Sequence, residues 1–157
     1  MKKTKNWVYS ILVLIVVLFG GYLFSDDEST NLDHSEQEIQ QEKEVLKGKY
    51  YFKKDEVAQY LHEYGMLPPN YLTKKEAQAK GWNDAEGNLW KVTKQSVIGG
   101  DYFGNFEGKL PKKKGRRYFE ADVNYEGGYR GSERLIYSND ELLFFTPDHY
   151  KTFVQLY

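Results

Sequence analysis

Residues 97–103 read VIGGDYF, and the character of the chain changes there. Valine and isoleucine open the stretch, aromatics close it, and a glycine pair sits inside. Further aromatic and β-branched runs follow near Arg117–Val123, Arg134–Tyr137, Leu142–Thr146 and Lys151–Leu156. Clusters of Gly, Asn and Asp separate them, including Glu126-Gly127-Gly128 and Ser138-Asn139-Asp140. Short β-prone runs with turn residues between them predict strands joined by tight connections.

Upstream of Val97 the period is helical. In KDEVAQYLHEY (54–64), Val57, Tyr60, Leu61 and Tyr64 stand at i, i+3, i+4 and i+7, one face of a helix. Gly65 can end it, and Leu67-Pro68-Pro69-Asn70 cannot continue it. Thr73-Lys74-Lys75-Glu76 has the pattern of a capping box, which starts a second helix at Thr73, with Gly81 at its end. Asn88–Val92 suits one short helical turn. Helices first and strands after predict an α+β fold, with N-terminal helices packed on a C-terminal antiparallel β-sheet.

The N-terminus is of another kind. Residues 7–24, WVYSILVLIVVLFGGYLF, carry no charge. As a helix they would be about 27 Å long at ~1.5 Å per residue, close to a ~30 Å hydrocarbon core. Lys2, Lys3 and Lys5 precede them, and Asp26, Asp27 and Glu28 follow. That asymmetry keeps the N-terminus in the cytoplasm and the rest outside. The segment reads as an uncleaved anchor, because it is long and no A-x-A pattern follows it. A cleaved signal peptide is the alternative. Residues 25–46 hold eight acids and one lysine and no aromatic residue, the composition of a solvated linker. The expected organisation is therefore 1–24 anchor or signal, 25–46 linker and 47–157 globular domain.

That domain carries 18 Lys or Arg against 15 Asp or Glu, a mild positive balance that by itself identifies no partner. Cysteine is absent, which excludes disulfides and thiolate metal sites. Beyond the linker only His62 and His149 are histidines. His62 falls among polar neighbours on the first helix and reads as a surface residue. His149 lies in Thr146-Pro147-Asp148-His149-Tyr150, a turn between strands. Taken singly, each candidate has an ordinary reading: a loop histidine with no role, a solvated strand glutamate at Glu120, a structural ion pair for Arg130 and Arg134. The run Lys112-Lys113-Lys114-Gly115-Arg116-Arg117 reads first as a solvated turn, and alternatively as a contact to downstream phosphates. Trp82 and Trp90 read as core aromatics. No Asp/His cluster resembles a metal site.

Taken together, several segments in order resemble the barnase–binase branch of the microbial guanyl-specific ribonucleases. They are LPPNYLTKKEAQAKGW (67–82), GNLW (87–90), IGGDYFGNFEGKLP (98–111), GRRYFEADVNY (115–125), GYRGSERLIYSND (128–140) and TPDHYKTF (146–153). The resemblance covers about Tyr51 to Tyr157. It implies the microbial ribonuclease fold and metal-independent cleavage of single-stranded RNA after guanosine through a 2′,3′-cyclic phosphate, with no cofactor. It implies Glu120 as general base, His149 as general acid, and Arg130, Arg134 and Lys74 on the phosphate. It places the guanine loop at Phe103, Gly104, Asn105, Phe106 and Glu107, and Tyr150 beside the base. Asp101 and Asp122 are expected to be structural partners, Asp122 orienting Arg130. Phe106 stands where well-known relatives have arginine, and Gly104 where they have serine. Losing that cation is expected to weaken RNA or inhibitor docking, or to leave Phe106 free to stack on a second base. An acidic barstar-like protein inhibitor is an implied partner, and a monomer is expected. Two alternatives stay open: a non-catalytic, membrane-tethered RNA-binding module, and an RNase toxin delivered to competitor cells.

Overall fold

A computed structural model of the chain describes residues 44–157. The apolar segment 7–24 and residues 25–43 lie outside the described residues, and so does the expected anchor or signal helix. Among the described residues no helix is long and apolar enough to cross a membrane.

Helix α1, Lys54–Tyr64, forms where the spacing predicts it and stops at Gly65, whose φ of +65° is left-handed and whose N–H donates to the Leu61 carbonyl. A residue with a Cβ resists that conformation; glycine does not. Val57, Ala58 and Leu61 face Val123, Leu135 and Leu143. Each fully buried Val or Leu there contributes about 1.5–3 kcal/mol. Packing reaches back into the stretch expected to be linker. Val45 is 1% exposed, and its carbonyl accepts a 3.0 Å bond from the Tyr64 hydroxyl.

Strand β1 is only Tyr71–Leu72. Helix α2, Lys74–Ala79, begins on the expected capping box: Thr73 Oγ1 accepts from the Glu76 N–H, and the Glu76 carboxylate accepts from the Thr73 N–H at 2.8 Å. A 3-10 turn at Asp84–Glu86 and a short helix α3, Leu89–Val92, follow. The remaining strands are β2, Val97–Phe103; β3, Tyr118–Asp122; β4, Arg134–Ser138; β5, Leu143–Thr146; and β6, Val154–Gln155. The sheet runs in the order β1-β2-β3-β4-β5-β6. It departs from the expected purely antiparallel form at one edge, where β1 pairs with β2 in parallel. The last strand is also shorter than the expected 151–156.

Register then decides what the sheet presents. Asp122 pairs with Arg134, Glu120 with Ile136 and Tyr118 with Ser138. Side chains alternate at period two, so these six share one face. Phe119 and Ala121 share the other with Tyr137 and Leu135, the face that α1 covers. A bulge between Gly99 and Asp101 sets Asp101, rather than Gly100, opposite Glu120. One extra residue flips the strand's facing. Asp101 therefore joins the Glu120 face, where its carboxylate accepts the Lys74 N–H at 2.9 Å.

Candidate active site

Glu120 is 6% exposed at the centre of β3. Lys74 Nζ lies 2.5 Å from Oε1, and the Tyr150 hydroxyl donates to Oε2 at 2.6 Å. Burial alone would raise its pKa. The bonds from Lys74 and Tyr150 and the charges of Lys74 and Arg130 outweigh burial, so the carboxyl sits below its ordinary range and is ionised at neutral pH. The Tyr150 phenol is pushed well upward by burial and by Glu120, so it remains a donor.

Two residues along, Asp122 is 2% exposed and holds two arginines. Arg130 grips it with two bonds, Nε to Oδ2 at 2.6 Å and Nη2 to Oδ1 at 2.8 Å. Burial disfavours the Arg130 charge, but Asp122 more than restores it. Arg134 Nε lies 2.7 Å from Asp122 Oδ1 yet off the N–H axis, so the contact is ionic and Nε has no aligned acceptor. Its Nη1 donates to the carbonyls of Gly131 and Glu133 at 2.9 and 2.7 Å. Asp122 thus orients Arg130 as expected, and it also neutralises Arg134. Strand β3 is backed in turn by Tyr71, whose hydroxyl donates to the Asp122 carbonyl at 2.7 Å.

Two loops rise over this floor. In the first, Asn105 adopts φ +45°. Its side chain closes the loop by accepting from the Leu110 N–H at 3.0 Å and donating to the Leu110 carbonyl at 2.9 Å. Glu107 is exposed and paired with Lys109 at 2.6 Å. Gly104 leaves room for the Phe106 ring: a Cβ at 104 would lie 2.2 Å from its Cε2. With a larger residue at 104 the exposed Phe106 ring would have to turn aside.

In the second loop His149 and Tyr150 are consecutive left-handed residues, at φ +57° and +69°. Such angles cost of order 1–3 kcal/mol each and persist only where neighbours impose them. Here the His149 N–H donates to the Ser132 carbonyl at 3.2 Å and the Tyr150 N–H to Thr146 Oγ1 at 2.9 Å. The Asp148 carboxylate accepts from the N–H groups of Lys151 and Thr152 and from the hydroxyls of Thr146 and Thr152. Those donors lower its pKa to about 2. The result is an exposed His149 imidazole that makes no side-chain hydrogen bond among the described residues, with its ring 4.7 Å from that of Tyr150.

A cleft of about 450 Å³ lies between floor and loops. Lys74, Phe103, Gly104, Asn105, Phe106, Glu107, Glu120, Arg130, His149 and Tyr150 all line it. Of the expected site residues only Arg134 does not; it is 3% exposed, on the same sheet face as Glu120 and Asp122. Lys109 was not expected. It lines the cleft and ties the loops together, pairing with Glu107 and donating to the Tyr150 carbonyl at 3.0 Å. Its place two residues after Glu107 was the only signal in the sequence, because Tyr150 is distant along the chain. The basic run is not simply solvated either: Arg116 binds Asp140 through Nε and Nη2, both at 2.8 Å. Among the described residues no group of three or more acids and histidines is placed to hold a metal ion.

A ribonuclease family model matches residues 54–157. Over 102 residues, 65% of this chain, the sequence is 50% identical to a ribonuclease of Heyndrickxia coagulans, and the match covers 94% of that protein. Ribonucleases of Bacillus intermedius and Bacillus pumilus are also 50% identical over 102 residues, and the match spans 63% of each. With most of its length matched to that family, the chain belongs to the microbial ribonucleases of the barnase–binase type and is an RNA-cleaving enzyme.

Proposed function

We propose that the enzyme is a guanyl-preferring endoribonuclease that cuts single-stranded RNA without a metal ion, with Glu120 as base and His149 as acid. The carrying observation is that an ionised, almost sealed carboxylate and a free, exposed imidazole line the same cleft. Glu120 takes the proton of the guanosine 2′-hydroxyl as that oxygen attacks phosphorus. The P–O5′ bond breaks, and the His149 imidazolium gives the leaving oxygen its proton. A 2′,3′-cyclic phosphate remains. In hydrolysis the roles reverse: His149 takes a proton from water, and protonated Glu120 returns one to the 2′-oxygen. Each proton transfer is worth roughly 10²–10⁴-fold.

Lys74 and Arg130 supply the positive charge that a phosphorane needs. Lys74 also controls the base. In the free enzyme its ammonium holds the Glu120 pKa down; drawn onto the substrate phosphate, it releases the carboxylate to become more basic. Arg134 lies on the same sheet face, paired with Asp122 beside Arg130. Guanine presents N1–H and N2–H donors beside O6, and the Glu107 carboxylate can accept both donors once it leaves Lys109. The half-buried ring of Tyr150, which lines the cleft, offers the stacking surface that splayed bases favour.

Work outside the cell is part of the same proposal, since an uninhibited RNase would destroy its host's RNA. It rests on residues 7–24, read as an anchor or signal. The test is cleavage of the dinucleotide GpA by the full chain in mild detergent with excess chelator. Guanosine 2′,3′-cyclic phosphate should appear first. Dependence on added Mg²⁺, or cleavage of ApA at the same rate, would remove the proposal.

A further inference from the structure

On the outer side of the guanine loop lies a second depression, of about 360 Å³. Residues 103–106 form one wall, the same residues whose other side lines the catalytic cleft. Pro111, Lys112, Lys113 and Arg116 line the opposite wall, and no acidic residue lines it. Phe106 stands on the ridge between the two depressions, 93% exposed. A large aromatic side chain gains nothing for the fold in that position. Arg116 and Lys113 share the Asp140 carboxylate, while Lys112 has no ion pair among the described residues. Three cations against one carboxylate leave the wall positive.

An exposed aromatic beside unneutralised lysine is the pairing that single-stranded nucleic acid uses: a base stacks on the ring while a phosphate meets the cation. We propose that this depression is a nucleotide subsite for the residue on the 5′ side of the guanosine, with its base on Phe106 and its phosphate at Lys112 and Lys113. Chain polarity supports the 5′ assignment. The 3′-phosphate of the bound guanosine is committed to Glu120 and His149, so the strand beyond it runs out on the catalytic side. The strand entering through the 5′-oxygen leaves on the other side, over the loop. Gly104 belongs to the device, because only a residue without Cβ lets the Phe106 ring settle over position 104. The inference rests on the proposed guanosine binding in the cleft.

The experiment compares kcat/KM of the full chain for GpA, for UpUpGpA and for GpApUpU. The 5′ extension should raise kcat/KM about tenfold, the size of one base stacked on an aromatic ring; the 3′ extension should serve as the reference. Lys112→Ala should leave GpA cleavage unchanged, remove part of the 5′ gain, and flatten the salt dependence for UpUpGpA by roughly 0.7 in log–log slope. For Phe106→Ala the ratio of UpUpGpA to GpA is the readout, and it should fall to near one, while Phe106→Trp restores it. Failure to cut GpA at all would strike at the proposed function. Normal GpA cleavage with no 5′ gain, with a 5′ gain indifferent to Lys112 and Phe106, or with Lys112→Ala weakening only the 3′ extension, would overturn the subsite alone.

Discussion

On strand β3 Glu120 and Asp122 are almost sealed from solvent, whereas in the loops above them His149 is exposed and the Glu107 side chain is 73% exposed. The two regions hold their chemistry by different means. On the floor, sheet register fixes Glu120 and Asp122 on one face, and each carboxylate is paired with an opposite charge within 3 Å. In the loops nothing is buried around the reactive atoms. Backbone conformation aims them instead: Asn105 closes one loop, and Asp148 with Ser132 imposes left-handed angles on the other. The consequence is a division of effects. Damage to the floor should cost stability together with activity, and damage to the loops should cost activity with little change in stability.

The hardest test of that division is Asp122→Ala. It strands Arg130 and Arg134 without their carboxylate, and breaking a buried pair costs about 3–5 kcal/mol. Urea unfolding should show a loss of that size, with activity falling too. A loss under about 1 kcal/mol would mean that the floor is not held by this pair.

His149→Ala is the counterpart in the loops. Turnover should drop by roughly 10²–10⁴-fold. The melting temperature should barely move, because the ring buries little. His149→Gly should be equally inactive but more stable than the alanine variant by about 1 kcal/mol, since glycine accepts φ near +57° without strain. An alanine variant that unfolds would place His149 among the structural residues.

Glu107→Ala should have a smaller effect. Unpaired guanine donors cost roughly 1–3 kcal/mol, so kcat/KM should fall for GpA and stay level for ApA, with stability unchanged. Equal losses on both substrates would detach Glu107 from base recognition.

The same contrast explains what could be read from the sequence. Strand β2 is found at its full expected extent, Val97–Phe103, because β-branched Val97 and Ile98 open it and aromatic Tyr102 and Phe103 close it. Helix α1 and the Thr73 capping box are equally plain, since periodicity and caps are local signals. Strand β1 is not legible: two residues between a Pro-Pro turn and a helix cap have no period, and only the pairing of Tyr71 with Val97 and Leu72 with Ile98 makes them a strand. The bulge at Gly100, which turns Asp101 towards Lys74, is a property of two strands together. In the site, the family resemblance named residues that the cleft gathers, Arg134 excepted. It gave no sign of the tie from Lys109 to the Tyr150 carbonyl, which depends on two loops meeting.

The pH dependence of kcat/KM on GpA tests the assignment of Glu120 as base most directly, because it reports the ionisation of groups in the free enzyme. Glu120 is held below the ordinary carboxylate range, so activity should persist to correspondingly low pH and fall only as Glu120 is protonated there. Glu120→Gln should abolish that acidic limb, at a much reduced rate. The account is contradicted if the acidic limb survives in Glu120→Gln, or if in the native enzyme it lies above the ordinary carboxylate range.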